Sequence, residues 1–228
     1  MKGSIFIERS GCDVCGICVE NCPSGALEVV GKELTVEEVL PLILKDRMFY
    51  ENSGGGLTLS GGEPTLQPDF AISLLMACKE NGIHTAVETS GYCSENILKE
   101  MMKHTDLFLY DLKHINGEKH RKFCGVDNKR VLSNLEFLLL NGANVHIRIP
   151  LIPGFNLEED EIEEIVHYIK SLSRKLPVYL LPFHRLGASK AEKIGVKYHY
   201  SKVSPPSRET LLSIKRIFEK NEIKTFLF

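Results

Sequence analysis

Six short apolar runs dominate the chain: Leu57 to Ser60, His84 to Thr89, Asp106 to Asp111, Val145 to Pro150, Val178 to Phe183 and Lys224 to Phe228. Between most of them lie stretches in helical period, roughly Pro68 to Asn81, Ser94 to His104, Asn128 to Asn141, Leu157 to Ser173 and Ser207 to Asn221. A strand that returns parallel to its predecessor needs a crossover of a dozen or more residues, and these helices supply it, so five βα units and a parallel sheet are expected. The near-continuous apolar strands suit a sheet covered on both faces, and leave an open doubly wound sheet and a barrel as alternatives. Gly82 and Gly142 stand as helix stops, and Asn156 and Ser207 as N-caps. Ahead of the first strand, Thr35 and Glu38 make a capping box for a helix to about Tyr50, with Pro41 expected to kink it.

The chain divides near residue 32 into a Cys-rich, turn-rich head (1–32) and the strand–helix body (33–228). Of seven cysteines, four fall between Cys12 and Cys22, too close together for the disulfide framework of a secreted domain. Cys12, Cys15, Cys18 and Cys22 follow C-x2-C-x2-C-x3-C with Pro23 after the last, the ferredoxin run for a [4Fe-4S] cluster. Three closely spaced thiolates wrap one cube, and the fourth serves a second cluster in two-cluster ferredoxins, so Cys22 stands either as fourth ligand or as an orphan of a second cluster. A zinc knuckle would want two Cys pairs with a longer loop between them. Cys78, Cys93 and Cys124 read as small core or surface residues. With 28 Lys and Arg against 30 Asp and Glu, no general attraction to nucleic acid or an anionic membrane is expected. There is no apolar stretch of about 18 residues and no signal core, so a cytoplasmic protein without a membrane segment is expected.

If each strand precedes its helix, the unusual polar groups collect at the C-terminal strand ends. Gly61-Gly62-Glu63-Pro64 follows the first strand, Thr89-Ser90-Gly91-Tyr92 the second and Asp111-Leu112-Lys113 the third; Arg148 lies late in the fourth, and His184 ends the fifth. That edge is where parallel α/β folds bind ligands. Glu63, Asp111, Lys113, Arg148 and His184 make a mixed-charge set suited to a zwitterion that also carries an adenosine, with the glycines permitting close backbone approach. Each has a plainer reading: a common Gly-Gly-Glu-Pro turn, a solvated Asp111–Lys113 pair, a structural His184. Arg148 inside an apolar strand demands a partner.

Gly-Gly-Glu-Pro at 61 resembles the signature of radical S-adenosylmethionine (SAM) proteins. Thr35 to Gln67, Thr-Ser-Gly-Tyr at 89, Tyr-Asp-Leu-Lys-His at 110, Ile-Arg-Ile-Pro-Leu-Ile-Pro-Gly at 147 and Leu-Pro-Phe-His-Arg-Leu-Gly at 181 are similar, in order and spacing, to pyruvate formate-lyase activating enzymes and other activators of glycyl radical enzymes. The resemblance covers nearly the whole chain, and the cysteine run places it with relatives that carry a ferredoxin-type insert. It implies a partial (β/α)6 barrel and a [4Fe-4S] cluster that reductively cleaves SAM to methionine and a 5′-deoxyadenosyl radical. That radical takes hydrogen from a glycine of a partner enzyme, with flavodoxin or ferredoxin as the kind of electron donor. By the same resemblance Gly61, Gly62, Glu63 and Asp111 hold the methionyl ammonium, Lys113 the carboxylate side, and Arg148 and His184 the nucleoside side. Lys113 and Arg148 are thereby the catalytic candidates, and a monovalent cation falls near Glu88, Thr89 and Asp111, where many relatives carry Asp in place of Glu88. The C-x3-C-x2-C that holds the SAM cluster in this family is not present in the 228 residues. The chain is therefore expected to begin inside the insert, to lack the first barrel strand and to be inactive as given. The competing expectation is a non-catalytic iron–sulfur electron-transfer or interaction module.

Overall fold

The computed structural model describes residues 7–198 and 200–228. In chain order the helices are α1 Ile17–Glu20, α2 Val36–Leu44, α3 Arg47–Ser53, α4 Pro68–Glu80, α5 Glu95–Met102, α6 Gly117–Cys124, α7 Lys129–Leu140, α8 Glu159–Ser171, α9 Gly187–Lys193 and α10 Arg208–Lys220. The strands are β1 Gly56–Leu59, β2 His84–Thr89, β3 Leu107–Asp111, β4 Val145–Leu151, β5 Val178–Pro182 and β6 Thr225–Leu227. The chain forms two compact units: a head of Met1–Leu34 with His184–Val203, and a body of Thr35–Phe183 with Ser204–Phe228. Residues 1–6 of the expected head segment lie outside the described residues.

In the body all six strands run parallel in the order β1-β2-β3-β4-β5-β6. A doubly wound sheet reverses its strand order at a switch point; this one never does. With right-handed crossovers, an unreversed order puts every connecting helix on the same face, which decides for the barrel type. The sheet does not close, and is a partial (β/α) barrel. Burial alternates accordingly: Val145, Ile147, Ile149 and Leu151 of β4 join Phe108, Tyr110, Val178, Leu180 and helical Leu135, Leu138, Ile162 and Ile165 in one core, while His146, Arg148 and Pro150 stay half-buried. The body's own helices thus cover one face of the sheet and not two. A smaller cluster of Ile43, Leu74, Cys78 and Ile83 fixes α2 against α4.

Gly82 (φ +69°) and Gly142 (φ +80°) close their helices in the left-handed conformation, and the Ser207 hydroxyl accepts from Thr210 N–H at 3.1 Å at the start of α10. Glu38 accepts from Thr35 N–H at 2.8 Å, completing its half of the capping box. Two expectations are corrected. Pro41 lies inside α2, and the break comes later, at Lys45 and Asp46, where α3 begins. The N-cap of α8 is Glu158, whose N–H is capped by Glu161 at 3.2 Å; Asn156 is wholly buried and bonds elsewhere. Helix α6 has no apolar stripe to reveal it, and is instead set by the Asn116 side chain, which accepts from Glu118 and Lys119 N–H, both at 3.0 Å, and by Gly125 at φ +82°.

Candidate functional site

At the C-terminal ends of β1 and β2, Glu63 organises the loops. Its carboxylate accepts from Thr65 N–H (3.3 Å) and hydroxyl (2.9 Å), the Thr89 hydroxyl (2.7 Å), and Ser90 N–H (2.8 Å) and hydroxyl (2.7 Å). Burial alone would raise this carboxyl, but the Ser90, Thr89 and Thr65 donors outweigh it and hold it below the ordinary value. The side chain is saturated, which leaves the Gly61-Gly62 backbone as the loop's free polar surface. Gly61 takes φ +111°, which favours glycine, and a Cβ at either glycine would meet open space.

Four charged groups follow along the same edge. Arg148 pairs with Glu88 at 2.9 Å, and Ser60 donates to the same Glu88 oxygen at 2.8 Å. Lys113 pairs with Asp111 at 3.4 Å. The register places Asp111 beside Arg148, and Leu112 N–H donates to the Arg148 carbonyl at 2.9 Å. These four side chains are 21% to 29% exposed, open to a ligand yet shielded enough for charge to count. Burial raises the Asp111 carboxyl above its usual value, with Glu88 adding to the effect and Lys113 and Arg148 opposing it. A cavity of about 290 Å³ lined by Glu63, Ser90, Tyr92, Asp111, Lys113 and Cys124 adjoins them, at the small end for ligand sites.

Behind this rim three buried asparagines tie down the loops. Asn134 of α7 donates to the Gly91 and Cys93 carbonyls at 2.7 and 2.9 Å, and Asn128 to those of His114 and Ile115 at 3.0 and 2.5 Å. Asn156 donates to the Lys113 and Pro150 carbonyls at 2.8 and 2.7 Å. Sequence reasoning passed over Asn134, although a polar residue among the apolar Val131, Leu135 and Leu138 was a usable signal.

In the head, Cys12, Cys15 and Cys18 line one cavity of about 370 Å³ together with Val14, Gly16 and Val19. Cys22 does not line it; its thiol contacts the Ser24 hydroxyl at 3.6 Å, and that bond and backbone amides lower it to about 7. All four are free thiols, and among the described residues no three His, Cys, Asp or Glu side chains converge on one point as for a single metal ion. A four-iron cube is wider than an ion, and three thiols around one cavity fit its donor chemistry. His184 belongs to the head unit, is exposed, and accepts from Leu186 N–H at 3.4 Å through Nδ1.

Residues 11–169 match the family description "Radical SAM superfamily". The chain is a radical SAM protein. Within that superfamily it groups with activating enzymes of glycyl radical enzymes. It is 44% identical over 196 residues to the choline trimethylamine-lyase activating enzyme of Oleidesulfovibrio alaskensis, covering 85% of this chain and 63% of that protein. It is 43% identical to the trans-4-hydroxy-L-proline dehydratase activating enzyme of Clostridioides difficile, covering 89% of this chain and 68% of that one. This radical SAM chain thus spans roughly two thirds of the length of these relatives. A solved domain of pyruvate-formate lyase-activating enzyme from Bacteroides vulgatus superposes with a TM-score of 0.65 at 32% identity, covering 76% of this chain and 99% of that domain.

Proposed function

We propose that this chain carries the SAM-holding rim and a ferredoxin-type cluster head of an enzyme that activates a glycyl radical enzyme. The observation that carries the reading is the grouping of two ion pairs, Glu88 with Arg148 and Asp111 with Lys113, at the ends of β2, β3 and β4, a mixed charge matched to a zwitterion. Asp111 and the Gly61-Gly62 backbone receive the methionyl ammonium, Lys113 the carboxylate, and Arg148 the nucleoside; Thr89 and Glu63 brace the loop. Cys12, Cys15 and Cys18 would hold a [4Fe-4S] cluster, with Cys22 either as its fourth ligand or as the orphan of a second cluster. An iron–sulfur cluster bound against SAM would supply the electron that opens its sulfonium C–S bond. The electron donor is a small redox protein of the flavodoxin or ferredoxin type, and the setting is the cytoplasm. No helix among the described residues is long and apolar enough to cross a membrane.

The 228 residues contain no C-x3-C-x2-C. This chain by itself therefore binds SAM weakly, through the rim, and releases no 5′-deoxyadenosine under dithionite. Titration calorimetry checks the first statement, and Asp111→Ala should weaken binding about 10- to 150-fold, the worth of one hydrogen bond to a charged group. Because the Asp111 carboxyl is raised in the free protein, binding a cation there expels a proton, so affinity falls as pH drops through a value above that of an ordinary aspartate. No measurable SAM binding, or equal affinity in Asp111→Ala, sinks the reading. Detection of 5′-deoxyadenosine sinks the claim that this chain is inactive alone.

A further inference from the structure

The segment after β4 folds back into the core as Ile152–Asn156, turning at Gly154 with φ +76°. Phe155 is 2% exposed and packs against the His114 ring at 5.4 Å and the Phe123 ring at 4.5 Å. Asn156, with no exposed surface, satisfies its carboxamide fully: its oxygen accepts from Ile152 N–H at 2.8 Å, and its nitrogen donates to the carbonyls of Lys113 and Pro150 at 2.8 and 2.7 Å. A buried carboxamide is tolerated only when its partners are supplied, and here every partner is backbone. Two of them lie at the ends of neighbouring strands, one on Lys113 itself and the other two residues beyond Arg148. Consecutive residues of the β4 loop thus hold consecutive residues of the β3 loop, Phe155 on His114 and Asn156 on Lys113.

We infer that Asn156 is a positioning residue for SAM: it clasps the β3 loop to the β4 loop and so fixes where Lys113 stands relative to Arg148. The inference rests on the reading of this rim as the SAM site. Asn156 touches no ligand and acts through the Lys113 backbone.

A double-mutant cycle on the full chain separates this from a general structural role. Asn156→Ala should weaken SAM binding about tenfold in the wild-type background and less than threefold once Lys113 is Met, because a misplaced side chain that is already gone cannot be lost again. An equal loss in both backgrounds overturns the inference. A second measurement needs no ligand and uses the milder Asn156→Ser: amide exchange should quicken at least tenfold at Ile152, Leu112 and Asn116, and stay unchanged in β2 and β5. Uniform acceleration across the sheet, or none, overturns the clasp. If the wild-type chain fails to bind SAM, the SAM reading falls, and the exchange pattern alone decides whether Asn156 holds the two loops together.

Discussion

At Gly91 a methyl group would need space that Tyr110 already fills: a Cβ would lie 1.7 Å from Tyr110 Oη and 2.2 Å from Cζ, on a backbone at φ +70°. Tyr110 cannot retreat, since it is wholly buried and its hydroxyl donates to the Val131 carbonyl at 2.7 Å. Gly91→Ala is therefore expected to cost about 3 kcal/mol or more in urea unfolding. Tyr110→Phe should cost about 0.5 to 1.5 kcal/mol by losing that hydrogen bond, since the Val131 carbonyl lies within helix α7, and should not rescue the alanine because Cζ stays in place. Full rescue would show that the hydroxyl alone, and not the ring, dictates glycine. At this scale the sequence was partly legible. Thr-Ser-Gly-Tyr could be picked out as a loop and Glu63 as part of a turn with Thr65, but the remaining donors on Glu63, from Thr89 and Ser90, stand 26 and 27 residues away, a distance no local pattern reports. Arg148 was legible as a cation needing a partner, and the partner is Glu88.

Helix α7 ends in three leucines whose fates differ: Leu138 is 0% exposed, Leu139 4% and Leu140 78%. Composition cannot separate them; the helical turn of about 100° per residue, set against a core on one side, does. Leu138→Ala should cost about 2 to 5 kcal/mol and Leu140→Ala less than about 0.5 kcal/mol, measured by the same denaturation. Similar costs at both positions would mean that α7 is rotated from the orientation described. The expected single helix to Tyr50 is α2 and α3, whereas the strands and the helices that connect them were readable to within a residue or two because their apolar pattern is strong. Helix α6 was not, since its polar surface carries no period and only its Asn116 and Gly125 caps mark it. The face count also escaped the sequence. Half-buried residues such as Leu109, Tyr179 and Leu181 are as apolar as core residues, so a sheet with one helical face reads like a sheet with two.

On the scale of the whole molecule the two units differ in how they are held. The body contains the buried core, whereas among the described residues of the head none is buried. A unit without core draws its order from elsewhere, and four thiols provide the means, because cluster binding and folding are one equilibrium when the site does not pre-exist. Head amides should thus exchange within seconds in the iron-free chain and become protected after anaerobic reconstitution with about four irons, while β3 and β4 stay protected throughout. A head already protected without iron would refute this coupling.

The strand order follows the order of synthesis without a single exchange, so among the described residues β1 pairs with β2, β2 with β1 and β3, and so on to β6. A nascent chain can therefore lay down this sheet as it leaves the ribosome, each new strand finding its template already in place and no early strand waiting for a later one to be inserted beside it. The converse holds for damage. Loss of β6 from the finished end removes one strand interface, whereas disruption of β3 removes two and parts Asp111 from both Glu88 and Arg148 at once.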